Sequence, residues 1–173
     1  MKTAPKRSIL GGAEAGAVRL RTAAPDDYAR VIGVVDAWWD GRAMSAMLPK
    51  LFLVHFRETS LIAEVNDDLV GFLAGFLSPA VSEEAYVHFV GVHPDHRKRG
   101  VGRRLYEQFF QVARAAGRSR VRCVTSPGNH TSLAFHRGMG FHPCGGAGDG
   151  SGVPVYRDYD GPGEDRVLLA KEL

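Results

Sequence analysis

A short glycine-rich basic turn is the part of this sequence with the clearest chemistry. The segment is Arg97-Lys98-Arg99-Gly100-Val101-Gly102-Arg103, and it lies between an apolar stretch and a helical pattern. Glycine lets the backbone approach a ligand closely, and the free N–H groups at the start of a helix attract anions. Arginine and lysine add charge-assisted hydrogen bonds to phosphate oxygens. The turn therefore predicts a pyrophosphate site, with a plain tight turn and a solvated helix end as the alternative.

Two other phosphate-binding patterns do not match this turn. A dinucleotide-binding fold needs Gly-x-Gly-x-x-Gly after the first strand of a βαβ array, and neither that placement nor the third glycine is found. A Walker loop needs Gly-x-x-x-x-Gly-Lys-Ser/Thr, which the sequence lacks. ATP hydrolysis is therefore not expected.

Helical and strand patterns around the turn predict a mixed α/β domain. Apolar residues recur at helical spacing over residues 101–116, and Gly117 ends that helix. The whole predicted order is a strand (17–21), two helices (25–38 and 44–56), three strands (61–65, 69–77 and 85–92), the helix after the turn, a strand (121–125), a short helix (132–139), and final strands at residue 141 and at 167–170. The glycine-rich segment 145–163 is predicted to be an irregular binding loop. This order predicts a mixed sheet with helices on its faces rather than a βαβ repeat.

Length, hydropathy and cysteine content limit the class of protein. With 173 residues and 45% hydrophobic content, we expect a flexible leader over residues 1–16 and one domain over residues 17–173. The longest apolar run, residues 69–77, contains two glycines and has about half the length of a membrane span, so no membrane association is expected. Two cysteines are too few for a disulfide framework, which favours the cytoplasm.

The basic turn resembles a signature of the GNAT superfamily of N-acetyltransferases, Arg/Gln-x-x-Gly-x-Gly/Ala, which follows the fourth strand and opens the third helix. A second signature of that superfamily is matched in order by Asn129, Ser132, Phe135, Gly140 and Phe141, with His136 at the position that is usually tyrosine. The resemblance implies a twisted sheet of about six to seven strands, splayed between the fourth and fifth strands and flanked by about four helices. It also implies transfer of an acetyl group from acetyl-CoA to a primary amine, with a small molecule as the favoured acceptor, by direct attack in a ternary complex.

The same resemblance implies where acetyl-CoA binds. The expected residues are Val90, Gly91, Val92, Arg97, Lys98, Arg99, Gly100, Val101, Gly102, Arg103, Asn129 and Ser132. The backbone N–H of Val92, with Val90 as second choice, is expected to polarise the thioester carbonyl, and Asn129 is expected to contact the pantetheine arm. No metal is expected, because the histidines are not grouped with the cysteines at a metal-site spacing.

Acetyl transfer to an amine needs a base for the attacking nitrogen and a proton for the departing thiolate. Glu84, Tyr86 and His88 share one face of a predicted strand, which by comparison with the superfamily faces the acceptor. His88 is the favoured base, because an imidazole ordinarily has a pKa of about 6.5 and is available as a neutral base near neutral pH. Glu84 would need a raised pKa, or would instead hold a cationic acceptor. A histidine that only makes hydrogen bonds inside the sheet is the alternative.

His136 stands where the superfamily usually has the tyrosine that protonates the thiolate. We expect His136 to take that role, with a packed and hydrogen-bonded core histidine as the alternative. Four aromatic residues are expected to border the acceptor: Trp39, Tyr86, Tyr156 and Tyr159. The acceptor itself does not follow from these residues.

Two other functions are compatible with parts of the sequence. A catalytically idle GNAT-fold protein that binds acyl-CoA is supported by the missing tyrosine at position 136. A nucleic-acid-binding module could use the basic residues, but the net charge of +3 is modest and residues 97–104 contain no aromatic side chain, so nucleic acid is not an expected partner. Dimerisation is common in the resembled superfamily, which leaves a homodimer open.

Overall fold

A mixed seven-stranded sheet forms the centre of the molecule. The structure is a computed structural model that describes residues 16–148 and 153–173. Its strands are β1 (Arg19–Thr22), β2 (Leu61–Val65), β3 (Asp68–Leu77), β4 (Glu84–Val92), β5 (Arg120–Thr125), β6 (His142–Pro143), β7 (Ala147–Gly148), β8 (Pro154–Val155) and β9 (Val167–Glu172). The sheet has the order β1-β2-β3-β4-β5-β9-β6, while β7 and β8 form a separate ribbon. Of the sheet's strand pairs, β4–β5 alone is parallel within these residues.

Helices cover both faces of the sheet. The described residues form α1 (Asp27–Trp38), α2 (Leu51–Val54), α3 (Val101–Ala115) and α4 (His130–Gly138), with 3-10 turns at Ser45–Met47, Arg57–Thr59 and Pro94–His96. The inward stripe of α3 packs with Val87 and Val121 in one core. On the opposite face, α1 and α2 pack with Phe72 and Phe89 in a second core.

The predicted architecture is confirmed in strand number, helix number and mixed sheet order. The helix predicted over residues 44–56 is wrong in extent, since a 3-10 turn precedes a single helical turn, α2. Pro49 lies between them, and proline has no N–H to donate and disfavours helical backbone in the residue before it. Segment 145–163 is not wholly irregular, because it contains β7 and β8. The predicted leader lies outside the described residues except for Gly16.

The parallel pair β4–β5 is joined only where the two strands begin. Glu84 lies opposite Arg120 and Tyr86 opposite Arg122, and no later residue of β4 pairs with β5. Within the part of the chain that the structure describes, the rest of β5 pairs with β9 alone and the rest of β4 with β3 alone. The edge of β4 that faces β5 is therefore open over residues 87–92. This opening is the splay that the resemblance implied.

His88 lies in a bulge of β4 beside this opening. Gly75 pairs with Val87 and Ala74 with Phe89, so His88 has no partner in β3. A bulge interrupts the alternation of side chains along a strand. Val87 accordingly lies in the core with α3, whereas Phe89 lies in the core with α1. His88 also turns to the α1 face, where its ring stacks on that of Phe52.

Two buried carboxylates join α1 to the edge of the sheet. Asp27 and Glu64 are 5% and 3% exposed. Arg21 donates to both carboxylates at 2.7–2.8 Å, and Arg30 also contacts both. These hydrogen bonds, led by those from Arg21, lower the pKa of each carboxyl group. Each group is therefore easier to ionise in the folded chain than in the unfolded chain.

Glu64→Ala should lower the free energy of unfolding at pH 7 by about 3 kcal/mol, because it removes one of the two buried carboxylates that bind Arg21 and Arg30 and leaves both guanidinium groups with Asp27 alone. The contribution of a carboxyl with a lowered pKa is complete above its unfolded value of about 4 and is lost as the pH falls through its folded value. The difference in free energy of unfolding between parent and variant should therefore become smaller as the pH falls. Urea titrations at several pH values measure this difference. Glu58→Ala, at a side chain that is 82% exposed, is the control. Equal losses in the two variants would contradict this role for Glu64.

Candidate functional site

Six consecutive backbone N–H groups are unpaired at the start of α3. The N–H of Arg97 bonds within the preceding 3-10 turn, and the N–H of Arg104 bonds to the carbonyl of Gly100 at 3.0 Å. Between them, the amides of residues 98–103 donate to no acceptor in the described chain. Lys98 and Gly100 have φ of 59° and 83°, a conformation that turns successive amides towards one concavity. The turn thus presents a row of donors at the positive end of a helix of 15 residues.

The basic side chains of this turn have two different surroundings. The guanidinium of Arg97 donates to the carbonyl oxygens of Val92 and Trp38, so it ties the turn to the ends of β4 and α1. Lys98 and Arg99 are exposed and form no ion pair within residues 16–148 and 153–173. Arg103 lies 3.8 Å from Glu107. Lys98 and Arg99 therefore provide positive charge that an anion can reach, while Arg97 has a positioning role.

Close packing explains the glycine within Val90-Gly91-Val92. A Cβ atom on Gly91 would lie 2.5 Å from the ring of Phe72 and 2.9 Å from the indole of Trp39. Trp39 therefore lies over the open part of β4, where its ring is 5.3 Å from that of Phe89. The sequence nominated Gly91 through resemblance alone, and the structure adds this steric reason.

Asn129 and Ser132 are joined at the start of α4. The side-chain oxygen of Asn129 accepts the Ser132 N–H at 3.1 Å, which is an N-cap interaction. The side-chain amide nitrogen of Asn129, Nδ2, has no partner in the described chain. A Cβ on Gly102 would lie 3.4 Å from Phe135, so α3 approaches α4 closely. The two sequence signatures therefore meet at one end of the sheet.

His88 is held in a tautomer that can accept a proton. Its Nε2 lies 2.7 Å from the carbonyl oxygen of Met47. A carbonyl can only accept, so Nε2 carries the hydrogen and Nδ1 carries the lone pair of the neutral ring. Nδ1 makes no hydrogen bond to the described residues, and the ring stacks on Phe52 at 4.4 Å. The ring of His88 is therefore held in place at the bulge of β4, with Nδ1 available to accept a proton.

Glu84 is less suited to act as a base. Its Oε1 accepts hydrogen bonds from Arg122 at 2.8 Å and from Arg120 at 3.4 Å, and its side chain is 16% exposed. Both guanidinium groups hold this carboxylate oxygen, whereas Nδ1 of His88 makes no hydrogen bond within the described residues. The geometry favours His88 over Glu84 for proton removal.

His136 has both ring nitrogens in internal hydrogen bonds. The ring is 4% exposed. Its Nδ1 lies 2.8 Å from the carbonyl of Ser132, so Nδ1 donates and Nε2 accepts from the hydroxyl of Tyr106 at 2.7 Å. Burial lowers the pKa of His136 and raises that of Tyr106 well above its ordinary value. In this arrangement neither nitrogen of His136 has a hydrogen to offer a thiolate, which favours the packed-histidine alternative.

A double-mutant cycle should reveal this pair through stability. His136→Phe and Tyr106→Phe each leave one buried polar partner unpaired, and each should lower the free energy of unfolding by about 1–3 kcal/mol. The variant with both changes should lose less free energy of unfolding than the two single variants lose together, because neither polar group of the pair is left without its partner. Urea unfolding measures all four proteins. Strict additivity would contradict the pairing, and a selective fall in kcat for His136→Phe would restore its predicted catalytic role.

The aromatic residues expected near the acceptor fall into two groups. Tyr86 lies on β4, and burial together with the nearby Tyr159 raises its pKa. Tyr159 lies 6.0 Å from Tyr156 between ring centroids, in the loop after β8, and is close enough to Tyr86 to contribute to that shift in pKa. Trp39 belongs to the other end of the opening, over Gly91. Sequence reasoning missed Phe52, which holds His88, although its place in an apolar helical pattern was the available signal.

Two further absences apply to residues 16–148 and 153–173. No group of three or more His, Cys, Asp or Glu side chains there could hold a metal ion. No helix in that part of the chain is both long and apolar enough to cross a membrane.

Comparisons with known proteins agree with this geometry. The family model described as Acetyltransferase (GNAT) family matches residues 22–141. The L-2,4-diaminobutyric acid acetyltransferase of Nocardia farcinica is 29% identical over 99 residues, which are 56% of this chain and 51% of that protein. An L-amino acid N-acyltransferase of Escherichia coli is 37% identical over 54 residues, which are 31% of each chain. The chain thus spans about half the length of the first curated relatives that it matches.

Solved structures share the fold at lower identity. Ard1 from Thermoplasma volcanium superimposes with a TM-score of 0.73 at 19% identity, over 91% of this chain and 98% of that one. The diaminobutyrate acetyltransferase of Paenibacillus lautus, solved with L-2,4-diaminobutyric acid and coenzyme A, gives a TM-score of 0.66 at 21% identity, over 90% and 94% of the two chains. At these identities the likeness establishes the fold.

Proposed function

The chain belongs to the GNAT acetyltransferase family, and from this membership we propose that it transfers an acetyl group from acetyl-CoA to a primary amine. The observation that carries the proposal is the row of six unpaired amides at residues 98–103. Such a row, at the start of a helix and beside exposed basic side chains, suits a pyrophosphate. It lies at the end of the opening between β4 and β5, where an extended ligand can pair with the free edge of β4.

The proposed path of the ligand uses residues on both sides of this opening. The amides of residues 98–103 bind the pyrophosphate, and Lys98, Arg99 and Arg103 add charge. The pantetheine arm follows β4, with the side-chain amide nitrogen of Asn129 as a polar contact. The thioester carbonyl accepts from the backbone N–H of Val92 or Val90, which stabilises the oxyanion as it forms.

The proposed reaction is direct attack in a ternary complex. Nδ1 of His88 removes a proton from the acceptor nitrogen, directly or through water, and a new C–N bond forms as the C–S bond breaks. The thiolate then takes up a proton. The resemblance nominates His136 as its donor, and for that role Nε2 must first lose its hydrogen bond from the Tyr106 hydroxyl and take up a proton.

The acceptor is proposed to be a small amine. The relatives with diaminobutyric acid and L-amino acids in their names support this choice, because both substrates are small primary amines. We place the reaction in the cytoplasm on the basis of two free cysteines. A homodimer stays a prediction.

Release of free thiol tests the proposed function. The protein is incubated with acetyl-CoA and a panel of primary amines, and the amine product is checked for a mass increase of one acetyl group. Amine-dependent thiol release with an acetylated product is expected. Tight binding of acetyl-CoA with no transfer to any amine would support an idle acyl-CoA-binding protein instead.

A further inference from the structure

Five aromatic rings form a continuous surface beside the opening in the sheet. They belong to Phe52, Phe56, Phe76, Tyr86 and His88, and we call this set the aromatic wall. Neighbouring ring centroids lie 4.4 Å apart for His88 and Phe52, 5.7 Å for Phe52 and Phe56, 5.4 Å for Phe56 and Phe76, and 5.4 Å for Phe76 and Tyr86. These are the separations of packed aromatic pairs. The wall ends at His88, the residue in the bulge.

Four of the five rings in the aromatic wall are partly exposed. Phe52 is its one buried member, at 7% exposure, and the other four rings are half-buried. Exposed apolar residues border it, since Met47 is 44% exposed and contacts His88 through its carbonyl, while Tyr159 is 47% exposed and lies near Tyr86. These partly exposed rings and their exposed neighbours are the apolar surface that a ligand at His88 would contact.

The charged side chains at the Tyr86 end of the aromatic wall already form ion pairs with one another. Glu84 is paired with Arg120 and Arg122. On the loop side of Tyr86, Arg166 is paired with Asp160 at 2.6 Å and also binds Glu164. Each of these carboxylates and guanidinium groups therefore already has a partner of opposite charge.

We infer that the acceptor amine is carried on an aromatic or other apolar group that packs against the aromatic wall. A second ammonium or a carboxylate on the acceptor would lose water there without gaining a free partner of opposite charge. An aromatic body packed on the wall brings its amine to the end that holds His88. This inference rests on the proposed acetyl transfer and specifies its substrate class.

Competition between acceptor classes tests the inference. With acetyl-CoA saturating, kcat/KM is measured for phenethylamine, putrescine, L-2,4-diaminobutyrate and glycine. Phenethylamine should exceed each of the other three by about tenfold or more, as expected when an apolar site discriminates against unpaired charge. Calorimetry with the CoA-saturated protein should also detect phenethylamine binding, which requires no turnover.

Two changes at one position provide the matched comparison. Tyr86→Ser removes a ring from the wall and should lower kcat/KM for phenethylamine about tenfold, whereas Tyr86→Phe retains the ring and should lower it far less. Acetyl-CoA affinity should be unchanged in both variants. Leu51→Ser, at a side chain that is 43% exposed and outside the wall, controls for the loss of surface apolar area. Thermal melting confirms that each variant is folded.

The outcomes separate this inference from the proposed function. Preference for putrescine, diaminobutyrate or glycine would overturn the inference and leave acetyl transfer intact. Phenethylamine binding that depends on the Tyr86 ring, with no transfer to any amine, would support the wall as a binding site and overturn the proposed function. If the protein neither binds phenethylamine nor acetylates it, the inference is overturned.

Discussion

Gly100→Glu should remove measurable acetyl-CoA binding, whereas Gly117→Glu should leave it unchanged. Gly100 lies among the six unpaired amides at the start of α3. A glutamate there adds negative charge and bulk where the pyrophosphate is proposed to bind. Loss of even two charge-assisted hydrogen bonds would weaken binding by roughly 3 kcal/mol or more, which is over a hundredfold.

Gly117 is a matched control for Gly100 because it lies just beyond the other end of the same helix. The two glycines have φ of 83° and 74°, and a Cβ at either position would meet nothing within 4 Å. Both substitutions therefore impose a similar backbone cost of about 1–2 kcal/mol. Calorimetry gives the affinities and thermal unfolding gives the stabilities. Equal affinities for acetyl-CoA in the two variants would contradict the pyrophosphate site.

His88→Gln should lower kcat by about a hundredfold or more while acetyl-CoA affinity stays the same, because it removes a positioned base. The glutamine amide can still donate to the carbonyl of Met47 but offers no basic nitrogen. The variant should regain activity as the pH approaches the pKa of the acceptor amine, since the free amine then needs no base. Steady-state rates across pH, with calorimetric affinities, measure both effects.

Phe52→Leu is the control for this second change. It removes the ring that stacks on His88 at 4.4 Å but leaves the base and its hydrogen bond to Met47 in place. Its kcat should fall far less than that of His88→Gln. A His88→Gln variant with full kcat at pH 7 would show that the amine loses its proton without this residue.

Local features of the fold could be predicted from the sequence. The turn before α3 depends on nearby glycines and on the start of one helix, so residues 97–103 carried the signal themselves. The apolar stripe of α3 could also be predicted, because it depends only on the spacing of residues within that helix. The opening between β4 and β5 was predicted from the resemblance alone. The residues of a single strand do not show how far it pairs with its neighbour. Residues 44–56 were misassigned because Pro49 divides an otherwise helical pattern.

The chemical states of the two histidines depend on residues distant in the chain. His88 owes its free nitrogen to the carbonyl of Met47, 41 positions away, and its placement to a bulge opposite Ala74 and Gly75. His136 owes its occupied nitrogen to Tyr106, 30 positions away. Spacing within a strand or helix cannot show such partners. The sequence could therefore nominate both residues but not distinguish the free base from the occupied one.

Calorimetric titration of the folded protein with acetyl-CoA and with desulfo-CoA tests the central claim most directly. It requires no knowledge of the acceptor, and desulfo-CoA isolates the contacts to phosphate and pantetheine. Micromolar, near-stoichiometric binding of both ligands is expected from the amides of residues 98–103 and the open edge of β4. A folded protein that binds neither ligand would contradict acetyl transfer and the catalytic assignments that depend on it.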